Sequence, residues 1–81
     1  MGMSKAVKVD KDYVEKVVIE DLRKKYPDII GYEFTSVKQF YKWWIVVGVF
    51  STQRKFSRIF EYTIDGETGK IIEYYIYPLV I

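Results

Sequence analysis

From Trp43 to Phe50 the chain runs through eight apolar residues without interruption, Trp-Trp-Ile-Val-Val-Gly-Val-Phe. Aromatic and β-branched side chains of this kind favour an extended strand and lose rotamer freedom in a helix. Eight residues also fall far short of the roughly 20 that a membrane-crossing helix needs. Side chains alternate across a strand, so one side carries Trp43, Ile45, Val47 and Val49 and the other Trp44, Val46, Gly48 and Phe50. Both sides are apolar. Whatever architecture the chain adopts must account for cover on two faces, and the run itself does not say which Trp faces which layer.

The rest of the 81 residues limit the available cover. The length allows one domain, 1–81, and a domain this small buries only about 60–65% of the surface that its unfolded chain exposes. No cysteine is present to cross-link it, and no histidine, which removes ordinary zinc sites, thiol nucleophiles and histidine acid/base chemistry. Aromatic residues make up 19% of the chain, so large side chains must supply the missing core.

Only one segment has helical periodicity. Asp12 and Glu15 stand at capping-box spacing, and Val14, Val17, Val18 and Leu22 then trace one face. Arg23-Lys24-Lys25 suits the negative end of a helix macrodipole, and Pro27 disfavours helical geometry at Tyr26. These signals predict a helix over 12–26. Residues 1–10 are expected to be an extension without regular structure.

Everything from 29 to 77 reads as strand. Ile30, Tyr32 and Phe34 alternate with Gly31, Glu33 and Thr35, and this strand extends toward Phe40 or Tyr41. Ser51 to Lys55 is a polar break before a third alternating strand, Phe56 to Asp65. Glu67-Thr68-Gly69 fits a three-residue hairpin loop with Gly69 left-handed, leading into a last strand from Lys70 to Tyr77. That loop sets Ile64 opposite Ile72, Tyr62 opposite Tyr74 and Phe60 opposite Ile76, with the even-numbered residues facing the core. The expected fold is two-layer α+β: one N-terminal helix packed on a four-stranded antiparallel meander.

A single helix covers one face of such a sheet. The other face would expose an apolar patch, and patches of that size mark interfaces. The candidate interface residues are Trp43, Trp44, Ile45, Val47, Val49, Ile59, Tyr75 and Tyr77, with Val37 and Tyr41 as further members. The expected partner is a second copy or another protein.

The hairpin Ile64-Asp65-Gly66-Glu67-Thr68-Gly69-Lys70-Ile71, following a helix and earlier strands, resembles the strand–turn–strand signature of PepSY-type domains. The resemblance spans residues 12–77 in layout and about eight residues in motif. It implies a cystatin-like, non-catalytic domain that binds proteins. Such domains are usually exported, whereas the first thirteen residues here contain no apolar leader segment, and the expected location is the cytoplasm.

Other chemistries find less support. Gly66 to Ile71 lacks the four-residue glycine spacing and the Ser/Thr of a phosphate-binding loop. Asp65, Glu67 and Glu73 lack the ligand spacing of a calcium loop, so no metal or cofactor is expected. Ser36, Ser51 and Ser57 have no histidine to activate them, and the chain is read as non-enzymatic. The net charge of +2 is small, yet residues 32–60 hold five bases against Glu33 alone. Lys38, Tyr41, Lys42, Arg54, Lys55 and Arg58 interleave cations with an aromatic residue, the combination that binds single-stranded nucleic acid. That is the alternative reading. The scarcity of alanine and absence of asparagine, with abundant Lys, Glu, Ile and Tyr, point to a thermally robust protein.

Overall fold

The computed structural model describes residues 8–54 and 56–79. One helix, α1 (Lys11–Lys25), precedes four strands, β1 (Ile29–Phe40), β2 (Trp43–Thr52), β3 (Ser57–Asp65) and β4 (Ile71–Pro78). The strands form one antiparallel sheet in the order β1-β2-β3-β4, with the helix against one face. The expected two-layer α+β meander is what the chain adopts.

The helix spans Lys11–Lys25 where the sequence predicts 12–26, and its N-cap lies two residues before the one the capping-box spacing predicts. Asp10, not Asp12, is the N-cap: its carboxylate accepts a hydrogen bond from the Tyr13 amide at 2.9 Å. Asp12 sits in the first turn, where its charge still complements the macrodipole. Val14, Val18 and Leu22, four residues apart, are fully buried against the sheet. At the other end Tyr26 leaves helical geometry at ψ 82°, as a residue before proline should, and its amide bonds to the Leu22 carbonyl.

The N-terminal extension is partly structured. Lys8 and Val9 both donate to the carbonyl of Gly66, and the Val9 carbonyl accepts the indole N–H of Trp44 at 3.2 Å. Residues 1–7 lie outside the described part of the chain.

Trp44, Val46, Gly48 and Phe50 form the helix side of β2, and Phe60, Tyr62 and Ile64 that of β3. With Ile29 and the helix residues they make the core. Gly48 is required by close approach. A Cβ there would lie 2.3 Å from the Glu33 carbonyl oxygen and 2.5 Å from the Phe60 ring.

Two irregularities reset β1. Ile29 pairs with Thr52 and Gly31 with Ser51, which leaves Ile30 exposed and Ile29 buried, the reverse of the alternation expected from sequence. A second bulge at Thr35 switches parity again and turns Val37 toward the core rather than the open face. The Thr35 hydroxyl donates to the Val47 carbonyl across this bulge.

The last hairpin also differs in its loop. Asp65 and Lys70 pair, so the loop has four residues, Gly66 to Gly69, with Gly69 at φ +78°. The Asp65 carboxylate caps it by accepting from the Glu67 and Thr68 amides, which hold the carboxyl below its ordinary value. A bulge then sets Ile64 opposite Ile71 instead of Ile72, and Ile72 is exposed. Beyond it the expected pairs hold: Thr63 with Glu73, Tyr62 with Tyr74, Glu61 with Tyr75 and Phe60 with Ile76.

Candidate functional site

The sheet face opposite α1 is built in rows, because residues directly paired across strands point to the same side. Nearest the β1–β2 turn stand Phe40 and Trp43. The next row is Lys38, Ile45, Thr63 and Glu73. Below it come Ser36, Val47, Glu61 and Tyr75, and then Glu33, Val49, Ile59 and Tyr77. The two central strands thus carry an apolar strip, Trp43, Ile45, Val47, Val49 and Ile59. All but Ile59 of that strip lies on β2, and β3 adds the polar Thr63 and Glu61. Lys38, Ser36 and Glu33 line the β1 edge, and the tyrosines of β4 form one wall.

These side chains shield one another only in part. The strip residues are half-buried, whereas Tyr75 and Tyr77 are 50% and 42% exposed. The two tyrosine rings stack at 6.5 Å and nearly parallel. Tyr77 donates to the Glu61 carboxylate at 2.9 Å, and that bond raises the phenol above its ordinary pKa. Glu61 therefore has a fixed partner within the face.

Of the interface residues expected from sequence, Trp43, Ile45, Val47, Val49, Ile59, Tyr75 and Tyr77 share this surface. Trp44 does not: it is buried on the helix side and anchored to Val9. Tyr41 sits at the tip of the two-residue β1–β2 turn, with φ 59° and 80% exposure. Phe40 joins the patch beside Trp43, and only the register makes that visible.

The basic residues do not form one stripe. Lys38, Tyr41 and Lys42 lie at the β1–β2 turn end, while Arg54 and Arg58 lie at the opposite end of β2. Ten residues of strand separate these ends by about 30 Å. Arg58 also pairs with Phe50, which puts it on the helix side. Lys55 lies outside the described residues.

A second polar cluster lies at the edge of the core. Tyr62, fully buried, donates to Asp21 at 2.6 Å, and Lys25 donates to the same carboxylate oxygen at 2.7 Å. Burial alone would raise the Asp21 carboxyl, but the bonds from Lys25 and Tyr62 outweigh it and hold it low. Burial and the Asp21 bond push the Tyr62 phenol far up. Tyr74, expected in the core, instead stacks on Tyr62 at 5.5 Å and stays 43% exposed, with the Lys25 ammonium 4.3 Å over its ring. With every member engaged in this way, the cluster reads as a clamp between α1 and the sheet.

Among the described residues, no His/Cys/Asp/Glu group is placed to hold a metal ion. Nor is any helix among them long and apolar enough to cross a membrane. No family model, no curated protein and no solved structure matches the chain.

Proposed function

We propose that this chain is a non-enzymatic assembly module whose helix-free sheet face packs on the same face of a second copy. The observation that carries the reading is self-complementarity about a two-fold axis parallel to the strands. Such an axis keeps each row in place and exchanges the β1 and β4 edges. Lys38 of one copy then lies over Glu73 of the other, twice, and Glu33 lies over the Tyr77 edge. The same axis lays β2 over β3, so that Val49 meets Ile59, Ile45 meets Thr63 and Val47 meets Glu61. Unlike charges thus meet at the rim, while β2 supplies most of the apolar surface at the centre and Glu61 enters it already bonded to Tyr77.

Four strands spaced about 4.8 Å apart and about 30 Å long give a footprint near 570 Å² per copy. Two copies bury roughly 1,100 Å², just above the lower bound for a specific interface. The predicted association is accordingly modest and concentration-dependent. Resemblance of the Asp65–Lys70 hairpin to PepSY-type domains supports a binding role over a catalytic one, and the cytoplasm remains the proposed location.

Charge exchange tests the geometry. Lys38→Glu and Glu73→Lys should each weaken self-association, and the double variant should restore it. If the double variant is weaker than either single one, the two residues do not meet across this axis.

A further inference from the structure

On the helix side, where Tyr26 to Asp28 leave α1 and the β2–β3 turn reaches back toward them, lies an open cleft of about 670 Å³. Its lining includes Tyr26, Asp28, Arg54, Phe56 and Arg58. The Arg58 guanidinium is held between two rings, 5.4 Å from the centroids of both Tyr26 and Phe56. Its Nε is buried without a hydrogen-bond partner. Among the described residues, the ion pairs within 4.0 Å join Lys11 to Glu15 and Lys25 to Asp21, and neither arginine of the cleft takes part.

A guanidinium nitrogen shut off from water is ordinarily hydrogen-bonded, because its loss of hydration must be offset; Arg58 is half-buried and its Nε lacks that partner. Here the aromatic faces contribute cation–π attraction but no acceptor for the N–H edge. The C-terminal end of α1 favours a cation beside Tyr26. It explains neither the second cation, Arg54, nor an unpaired guanidinium. Among the described residues of the lining, Asp28 is the one acid, and it faces the guanidinium groups of Arg54 and Arg58.

We infer that this cleft binds a monocarboxylate attached to an apolar body. A carboxylate matches the planar fork of a guanidinium, and among the described residues one negative charge balances Arg54 and Arg58 against Asp28. Counted over the described residues, a dianion such as phosphate would leave excess negative charge beside Asp28. Tyr26 and Phe56 offer apolar surface for the rest of the ligand.

The test is titration of the full-length, ¹⁵N-labelled chain with sodium benzoate, sodium phosphate or sodium chloride at matched ionic strength. Benzoate should shift the amides of 52–56 and the Arg58 Nε–H saturably in the millimolar range. Arg58→Lys keeps the charge but loses the fork, and should weaken benzoate binding about tenfold, as should Arg54→Gln for an exposed residue whose loss leaves the core intact. The absence of saturable shifts, tighter binding of phosphate, or unchanged affinity in both variants would overturn the assignment. The cleft lies on the side away from the proposed dimer face, so this result and the oligomeric state are independent.

Discussion

Gly48→Ala isolates the packing on which both layers depend. Glycine in a strand costs about 0.5–1 kcal/mol relative to alanine, so propensity alone predicts stabilisation. The structure predicts the opposite. A methyl group at Gly48 would stand 2.3 Å from the Glu33 carbonyl oxygen and 2.5 Å from Phe60 Cζ, about 1 Å inside the 3.4 Å at which ordinary contact begins. Neither neighbour has room to retreat. Glu33 is backbone in the β1–β2 ladder, and Phe60 is fully buried, with Phe34, Tyr62 and Phe50 at ring separations of 5.8, 6.1 and 6.2 Å. Overpacking costs about 2 kcal/mol, a disturbed ladder bond about 1 kcal/mol, and the gain in strand propensity offsets somewhat under 1 kcal/mol. The net loss is about 2 kcal/mol. Thermal unfolding at fixed protein concentration should show a midpoint lower by roughly 8–16 °C. Gly31→Ala is the control: nothing lies within 4 Å of its Cβ, so its midpoint should hold or rise slightly. An unchanged or raised midpoint for Gly48→Ala would refute the close approach of β1, β2 and Phe60.

The remaining predictions concern the clamp, a turn and the open face. Tyr62→Phe removes a buried hydrogen bond to a charged acceptor and should cost about 1–2 kcal/mol in urea unfolding. Because the folded pKa of Asp21 is lowered, its contribution is present above the unfolded value near 3.8 and is lost as pH falls through the folded one. Acid unfolding of Tyr62→Phe should therefore depend less steeply on pH. At the alkaline end the sign reverses: Tyr62 is raised, so its contribution holds below 10.0 and is lost above it. Tyrosinate absorbance should show one tyrosine ionising only as the protein unfolds. Tyr41→Asn, at a positive-φ turn position, should raise stability by about 0.5–1 kcal/mol in the same unfolding assay. Val47→Glu places a charge at the centre of the open face in both copies and should raise the dimer dissociation constant at least about 100-fold, with circular dichroism unchanged.

Local signals in the sequence carried a large part of this fold. The 3.6-residue spacing of Val14, Val18 and Leu22 marked the helix, and Pro27 marked its end. Alternation in Phe60–Ile64 marked the β3 face, and most of its register with β4 followed from keeping polar residues off that face. What stayed hidden was set by contacts distant in sequence. Trp43 and Trp44 are equivalent as neighbours, and a hydrogen bond to Val9, 35 residues away, separates them. The bulges at Ile30 and Thr35 change which residues face the helix before Gly31 and after Phe34; Gly31 flanks the first, but the second has no glycine or proline signature. The four-residue loop depends on Asp65 capping two amides, and it shifts Ile72 out of the core. For the open face, the strip itself was visible from the run Trp43–Phe50. The edge residues Lys38 and Glu73, on which the proposed pairing of two copies rests, were brought into one row only by pairing through four strands.

Sedimentation equilibrium of the unmodified chain over low to high micromolar concentrations tests the central claim most directly. The account predicts a shift from the 9.7 kDa monomer to twice that mass, with Trp43 fluorescence becoming shielded as the dimer forms. A monomer at every concentration, with Trp43 equally accessible to quencher throughout, would contradict it.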